Sequence, residues 1–274
     1  MIKRFFIFIC LYSIILQNSY ADSYKKISYI KEISEAVKNA NQNTLVVFDV
    51  DYVIFTPPDL IGRPKGLKIR NEIYKDYYKE ERNNIHSLYY LKTSEEFVEK
   101  EIKEIILDLY EHRIPTVALT AVGAGRFGNI DDSVNLRVSR LKEKGINFSF
   151  ENSNKRILWN DDSAFEAGVI FSGKQPKGEA LQYFLENIIQ WKPKHIIFVD
   201  DKLEHLKSVH EMCNKLEIKF TGFHYKAAVF DLDQELNPEI AKFQLKTLYE
   251  QKILIPDSEA KKIIKKDKEY YITN

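Results

Sequence analysis

Three short apolar runs constrain this chain more than any other feature of its sequence. They are Thr44–Phe48, Thr116–Leu119 and His195–Val199. Their apolar residues occupy consecutive rather than alternate positions, which is typical of strands buried on both faces. Segments with helical periodicity separate the runs, and alternating strands and helices predict a parallel sheet with helices on both faces. We therefore expect an α/β fold with a doubly wound parallel sheet.

Length and local pattern divide the chain into a core, an insertion and an accessory element. A chain of 274 residues is long enough for one α/β domain that carries an insertion. Turn-rich sequence followed by charged, tyrosine-rich sequence predicts a small, mainly helical cap at residues 56–95. The core then comprises residues 22–55 and 96–274. Two apolar patches in residues 155–172 predict an accessory β-hairpin, and Ile146–Phe150 is a predicted strand.

The first 21 residues resemble a secretory signal peptide. Lys3 and Arg4 precede an apolar run from Phe5 to Leu16, and a small residue, Ala21, ends the segment. A buried N-terminal helix or a membrane anchor is the alternative, but this run is short for a span of about 30 Å of hydrocarbon. We expect cleavage after residue 21, an exported protein that is periplasmic or secreted, and no stable membrane anchor in the mature chain.

The balance of charged residues limits the classes of partner, and the number of cysteines limits disulfide bonding. The 41 basic and 40 acidic residues nearly balance, and removal of residues 1–21 takes away two basic residues and no acidic one. A chain so close to neutral does not predict a nucleic-acid partner. Cys213 is the single cysteine after residue 21, so no internal disulfide is expected. The sequence leaves the oligomeric state open.

Acidic residues follow two of the apolar runs directly. Asp49 and Asp51 leave the first run, and Asp200 and Asp201 leave the third. Ligands of parallel sheets bind beyond the carboxyl ends of the strands, so these carboxylates are expected to lie together at that edge of the sheet. Carboxylates gathered there repel one another unless a cation compensates, and an oxygen-only set of ligands suits Mg²⁺. The pattern therefore predicts a magnesium site.

A hydroxyl and an ammonium group are expected near the same edge of the sheet. Thr120 ends the second run, and Lys177 begins a predicted helix. A hydroxyl donor, a lysine and a helix N-terminus suit the oxygens of a phosphoryl group. The order Asp-x-Asp-x-Val at residues 49–53, Thr120, Lys177 and Asp-Asp at 200–201 resembles the haloacid dehalogenase superfamily of phosphatases. The resemblance covers about residues 44–225.

This resemblance implies a Mg²⁺-dependent phosphohydrolase with a Rossmann-like core and a small phosphomonoester as substrate. It assigns Asp49 as the nucleophile that forms an aspartyl-phosphate, and Asp51 as the general acid and base. Thr120 and Lys177 would bind the phosphoryl oxygens. The expected metal ligands are Asp49, Asp51, Asp200 and Asp201, and the sequence does not decide which member of the Asp200–Asp201 pair binds directly.

Two other functions stay open on the sequence. One is a secreted effector or binding protein with a catalytically degenerate form of the same fold. The other is a dinucleotide-binding protein, because Gly123, Gly125 and Gly128 match G-x-G-x-x-G after a strand and before a helix. Asp131 and Asp132 argue against it, since negative charge in the first turn of that helix would repel a pyrophosphate. His205 and His210 lack the spacing of metal ligands on one helical face.

Overall fold

A computed structural model describes residues 24–150, 155–230 and 236–273. The predicted signal peptide at residues 1–21 lies outside the described residues. The strands of this structure, in chain order, are β1 (Tyr24–Ile27), β2 (Thr44–Phe48), β3 (Phe55–Thr56), β4 (Glu96–Phe97), β5 (Thr116–Thr120), β6 (Ile157–Trp159), β7 (Ser163–Glu166), β8 (Val169–Phe171), β9 (His195–Asp200) and β10 (Lys219–Tyr225).

The main sheet confirms the predicted α/β class. Within the described residues it has eight strands in the order β1-β10-β9-β2-β5-β8-β7-β6. All neighbours from β1 to β8 in this order run parallel, and only β7 and β6 are antiparallel to their neighbours. Every residue of β2 and of β5 is buried, as their unbroken apolar character predicts.

Helices cover both faces of this sheet. In chain order, the α-helices of the described residues are α1 (Ser34–Lys38), α2 (Leu67–Tyr74), α3 (Lys79–Lys92), α4 (Glu101–Glu111), α5 (Ser133–Glu143), α6 (Lys177–Tyr183), α7 (Leu203–Lys215), α8 (Ala227–Phe230), α9 (Pro238–Gln251) and α10 (Asp257–Thr273). Apolar residues of α4 and α5 join one core cluster with the sheet, and those of α6 and α7 join a second cluster on the other face. This is the doubly wound arrangement expected from the sequence.

The insertion after β2 is helical, and a two-stranded ribbon closes its base. Strand β3 pairs antiparallel with β4, so the chain leaves and re-enters the core at one place. Between them lie α2 and α3, whose apolar residues include Ile73, Ile85 and Leu88. We call residues 57–95 the cap.

Two local predictions differ from the structure. The segment at 155–172 forms three strands, β6, β7 and β8, instead of an accessory hairpin. Strand β8 pairs in parallel with β5, which makes this meander the edge of the main sheet. The predicted strand Ile146–Phe150 is irregular, although Ile146 and Phe148 are buried in the core. The apolar residues at alternate positions of this segment are thus buried although the segment does not form a strand.

The C-terminal helices pack on the cap and not on the sheet. Leu245 and Leu248 of α9 share one apolar cluster with Ile85 and Leu88 of α3. This differs from the predicted division, which assigned everything after residue 95 to the core. None of the helices in the described part of the chain combines the length and apolar character that crossing a membrane requires.

Candidate active site

The predicted polar residues meet at the carboxyl edge of the three central strands. Strand β2 lies between β9 and β5, and Phe48 is in register with Val199 of β9 and with Ala118 of β5. Asp49 and Asp200 therefore leave adjacent strands at the same level, and Thr120 ends the third strand. The backbone N–H of Asp49 donates to the carbonyl of Val199 at 2.9 Å, which fixes the two acidic strand ends together.

Lys177 joins the two acidic strand ends. Its Nζ lies 2.8 Å from Oδ1 of Asp49 and 2.8 Å from Oδ2 of Asp200. The Lys177 side chain is 1% exposed and the Asp200 side chain 0% exposed, so solvent does not screen these pairs. Two carboxylates around one buried ammonium leave a net negative site, which accepts a cation more readily than an unaccompanied anion.

A close helix contact holds Lys177 in place. The next residue, Gly178, packs so tightly against α7 that an added Cβ would lie 2.1 Å from the carbonyl oxygen of Ser208. The Gly178 N–H donates to Oγ of Ser208 at 3.0 Å. Glycine at this position therefore lets the start of α6 approach α7, and the Lys177 ammonium reaches the sheet edge.

Burial and neighbouring charges raise the pKa values of Asp49 and Asp201 and lower that of Asp200. Burial, with the Asp200 carboxylate adding to it, raises the pKa of Asp49 to about 7, although Lys177 opposes the rise. Burial would also raise the pKa of Asp200, but Lys177 and His205 outweigh it and lower that pKa. Burial, followed by the charges of Asp49 and Asp200, raises the pKa of Asp201 to about 8. Asp200 is thus the permanent anion of this group.

The same residues offer ligand atoms for a cation. One atom from each of Asp49, Asp200 and His205 lies within 4.8 Å of the other two. Oδ1 of Asp201 is buried and has no hydrogen-bond partner among the described residues. Two carboxylates and an unpartnered carboxylate oxygen form a donor set that suits a hard divalent cation. The residues present therefore fit Mg²⁺.

Sequence reasoning missed the role of His205. Its Nδ1 lies 3.0 Å from Oδ1 of Asp200, and the N–H of Lys202 donates to the same oxygen at 2.8 Å. Hydrogen bonds of this kind orient a carboxylate toward a metal or a substrate. The signal in the sequence was its position in the first turn of the helix that follows Asp200, which places the ring over the strand end.

The Asp51 carboxylate is not part of this group of ligand atoms in the described residues, and it pairs with an arginine that sequence reasoning did not identify. Nη2 of Arg137, on α5, lies 2.7 Å from Oδ1 of Asp51, and Nη1 of Arg137 lies 3.0 Å from Oε1 of Glu95. Arg140 also contacts Glu95, at 3.3 Å. Asp51 is 30% exposed, whereas Arg137 is 5% exposed. This four-residue network anchors the Asp51 carboxylate at the rim of the site.

Thr120 is fully buried at the end of β5. Its Oγ1 accepts a hydrogen bond from the N–H of Val122 at 3.2 Å, and its carbonyl accepts from the Ser172 N–H at 2.9 Å. Thr120 therefore holds the start of the following loop. Its hydroxyl proton has no acceptor among the residues that the structure describes, so it can be donated to a ligand oxygen.

The glycine-rich loop after Thr120 packs against the cap. A Cβ on Gly128 would lie 2.3 Å from Oγ of Ser87 on α3, and Gly128 has a φ of 53°. At the start of α5, the Asp132 side chain accepts a hydrogen bond from the Asn135 N–H at 2.9 Å. Cap packing explains the third glycine, and a carboxylate already caps the helix where a pyrophosphate would bind.

Aromatic rings of the cap and of the glycine-rich loop surround a histidine of the cap. The ring of His86, on α3, lies 6.5 Å from Tyr74, 5.0 Å from Tyr90 and 5.5 Å from Phe127. Burial, with the charge of Arg70 adding to it, lowers the pKa of His86 to about 4. His86 is therefore neutral at physiological pH.

Protonation of His86 is expected to destabilise the protein in mild acid. Its folded-state pKa lies below the unfolded value of about 6.5, so the unfolded chain binds the proton first as the pH falls. The contribution of His86 should lower the free energy of unfolding by about 1–2 kcal/mol between pH 7 and pH 5. Urea denaturation at both pH values should show that His86→Phe removes this decrease, because the ring stays and the titration is lost.

A surface histidine supplies the control. His112 has a side chain that is 68% exposed, so His112→Phe should keep the full decrease in stability between pH 7 and pH 5. An unchanged decrease in His86→Phe protein would show that other groups cause it.

Comparisons with known proteins place this chain in a family. Residues 26–261 match the family described as "Protein of unknown function (DUF2608)". A Chlamydia pneumoniae protein named "Putative outer membrane protein" is 37% identical over 76 residues, which cover 28% of this chain and 26% of that protein. A Chlamydia muridarum protein of the same name is 34% identical over 116 residues, or 42% of this chain and 43% of that protein.

A third relative covers more of the chain at lower identity. It is an uncharacterized protein of Rickettsia bellii, 24% identical over 202 residues, or 67% of this chain and 68% of that protein. The chain therefore spans less than half the length of the two more similar Chlamydia relatives. No solved structure matches the chain. Because the family match extends over most of its length, this chain belongs to the DUF2608 family.

Proposed function

We propose that this protein is a Mg²⁺-dependent phosphohydrolase of the haloacid dehalogenase type that acts on a small phosphomonoester. The observation that supports it most is the Lys177 ammonium, which lies 2.8 Å from Asp49 and 2.8 Å from Asp200 at the carboxyl edge of a parallel sheet. A buried lysine between two acidic strand ends combines a nucleophile with positive charge for phosphoryl oxygens. Thr120, at the end of the adjacent strand, adds a hydroxyl donor.

The proposed reaction has two displacements at phosphorus. In the first, an Asp49 oxygen forms a bond to phosphorus, the ester P–O bond breaks, and Asp51 gives its proton to the leaving oxygen. In the second, Asp51 takes a proton from water as the water oxygen attacks, and the bond between phosphorus and Asp49 breaks. Asp51 is 30% exposed at the rim, where both a leaving oxygen and a water can reach it.

Asp49, Asp200 and Asp201 would hold the magnesium ion, with His205 holding Asp200 in position. Asp51 would join them through its backbone carbonyl, as the resemblance to the phosphatases implies. When bound, the cation supplies positive charge to the phosphoryl oxygens. Lys177 keeps Asp49 close to Asp200 and offsets the negative charge that an arriving phosphate meets.

We further propose that the protein works outside the cytoplasm, in the periplasm or as a secreted protein. The signal-peptide pattern of residues 1–21 supports this location, and two Chlamydia relatives carry names that place them in the outer membrane. An exported phosphatase would meet phosphorylated small molecules from its surroundings.

Phosphate release from an aryl phosphate tests the proposed function. The purified protein should release phosphate saturably in millimolar Mg²⁺, and excess EDTA should lower the rate by about tenfold or more. Restoring Mg²⁺ should restore the rate. If a panel of phosphomonoesters gives no release and calorimetry detects no Mg²⁺ binding, the protein is a binding or effector protein with this fold and not a phosphatase.

A further inference from the structure

A small cavity lies beside Asp51, between the end of β2 and the cap. Its lining includes Asp51, Tyr52, Thr56, Arg70 and Tyr90, and its volume is about 20 Å³. A volume of that size holds about one or two water molecules. The cavity can therefore hold a group of a few atoms that belongs to a ligand bound next to Asp51.

Four residues that line this cavity each carry a buried polar atom without a hydrogen-bond partner among the described residues. The four atoms are Nε of Arg70, Oγ1 of Thr56, the hydroxyl oxygen of Tyr89 and Oε2 of Glu95. Buried polar atoms of native proteins nearly always have partners, so atoms of this kind call for a ligand. A guanidinium N–H can only donate, and a hydroxyl can also donate, so an acceptor oxygen of a ligand matches three of these four atoms. The fourth, Oε2 of Glu95, is an acceptor that belongs to a carboxylate already paired with two arginines.

The charges around the cavity balance except for Arg70. Asp51 pairs with Arg137 at 2.7 Å, and Glu95 pairs with Arg137 at 3.0 Å and with Arg140 at 3.3 Å. Two carboxylates thus meet two guanidinium groups. In residues 24–150, 155–230 and 236–273, no carboxylate pairs with Arg70, whose guanidinium lies 5.8 Å from the ring of Tyr74. The charged residues of the lining, counted with their ion-pair partners, therefore have one positive charge in excess.

We propose that Arg70 and Thr56 bind a carboxylate carried by the leaving group of the substrate. This inference rests on the proposed phosphohydrolase function, and it narrows the substrate to a small phosphorylated hydroxy acid. Asp51 lines the same cavity, so the oxygen that it protonates brings the rest of the leaving group to Arg70. The planar guanidinium matches a carboxylate, and the small volume excludes a bulky leaving group.

The test compares two substrates of the same shape and different charge. Phosphoglycolate carries a carboxylate beside its ester, and the corresponding phosphorylated glycolamide replaces that carboxylate with a neutral amide. Wild-type protein should show a kcat/KM about 10- to 100-fold higher for the carboxylate than for the amide, because a buried charge-assisted hydrogen bond contributes that much. Equal kcat/KM values would overturn the inference and leave the proposed function standing.

Arg70→Met should reduce this preference to about one. The matched control is Arg82→Met, which makes the same change at an exposed residue of the cap and should keep the wild-type preference. A preference that survives in Arg70→Met protein would overturn the role of Arg70.

A binding measurement separates this inference from the proposed function. If the protein hydrolyses no phosphate ester, the proposed function fails, and glycolate is then titrated into the wild-type and Arg70→Met proteins by calorimetry. Binding that is at least tenfold weaker in Arg70→Met supports a carboxylate site in a protein without turnover. No binding to the wild type, or equal binding to both proteins, overturns the inference.

Discussion

Asp49→Asn protein should lose phosphate release by about 1000-fold or more and should stay folded. The amide cannot form the bond to phosphorus that the proposed mechanism assigns to Asp49, and loss of a nucleophile removes the covalent route entirely. The fold should tolerate the change because the shapes match and the ionised form is disfavoured by burial, which raises the pKa of Asp49 to about 7. We expect the free energy of unfolding to change by no more than about 1 kcal/mol.

The measurement is the steady-state rate on an aryl phosphate, together with urea denaturation of the same samples. Asp131→Asn is the matched control, because its side chain is 92% exposed and the chemical change is identical. It should keep the wild-type rate and the wild-type stability. Wild-type turnover by folded Asp49→Asn protein would remove the aspartyl-phosphate from the mechanism.

Lys177→Met should produce the largest loss of stability, about 3–5 kcal/mol in the free energy of unfolding at neutral pH. Methionine fills most of the volume of lysine but carries no charge. Asp49 and Asp200 would then remain buried next to each other without the ammonium that now lies 2.8 Å from both. The two carboxylates must then either stay charged side by side or take up a proton that the unfolded chain does not bind at neutral pH, and either cost lowers the stability of the folded state.

Urea denaturation with and without Mg²⁺ measures this effect and its cause. Lys174→Met is the control, because the Lys174 side chain is 90% exposed and should contribute less than about 1 kcal/mol. Millimolar Mg²⁺ should stabilise Lys177→Met protein more than wild type, since a cation would replace the missing positive charge. Equal stability of the Lys177→Met and Lys174→Met proteins would contradict the buried ion-pair cluster.

The sequence was sufficient to predict the sheet and the convergence of the acidic residues. An unbroken apolar run such as Thr44–Phe48 is removed from water only when both faces of its strand are buried. Parallel pairing of such strands then fixes which of their ends lie at the same edge of the sheet. Asp49 and Asp200 followed directly from that geometry. Lys177 was identifiable because its motif follows the others in a recognisable order, although its contacts with both carboxylates were not.

Contacts between distant helices were not predictable from local patterns. Arg137 pairs with Glu95 and Asp51, which lie 42 and 86 positions earlier in the chain. An arginine on an amphipathic helix normally indicates a solvent-facing position, so nothing local marks Arg137 as buried. Strand β1 was missed for a similar reason: its sequence, Tyr24-Lys-Lys-Ile27, becomes a strand only by pairing with β10.

The packing of α9 on the cap means that the cap is not a module that can be cut out alone. Leu245 and Leu248 of α9 are buried against α3, and the Asp257 carboxylate, at the start of α10, accepts a hydrogen bond from the Leu60 N–H at 2.8 Å. A deletion of residues 57–95 would leave an apolar surface on α9, and a truncation before α9 would do the same to the cap. Exchange of caps between relatives must therefore transfer two separate stretches of sequence together.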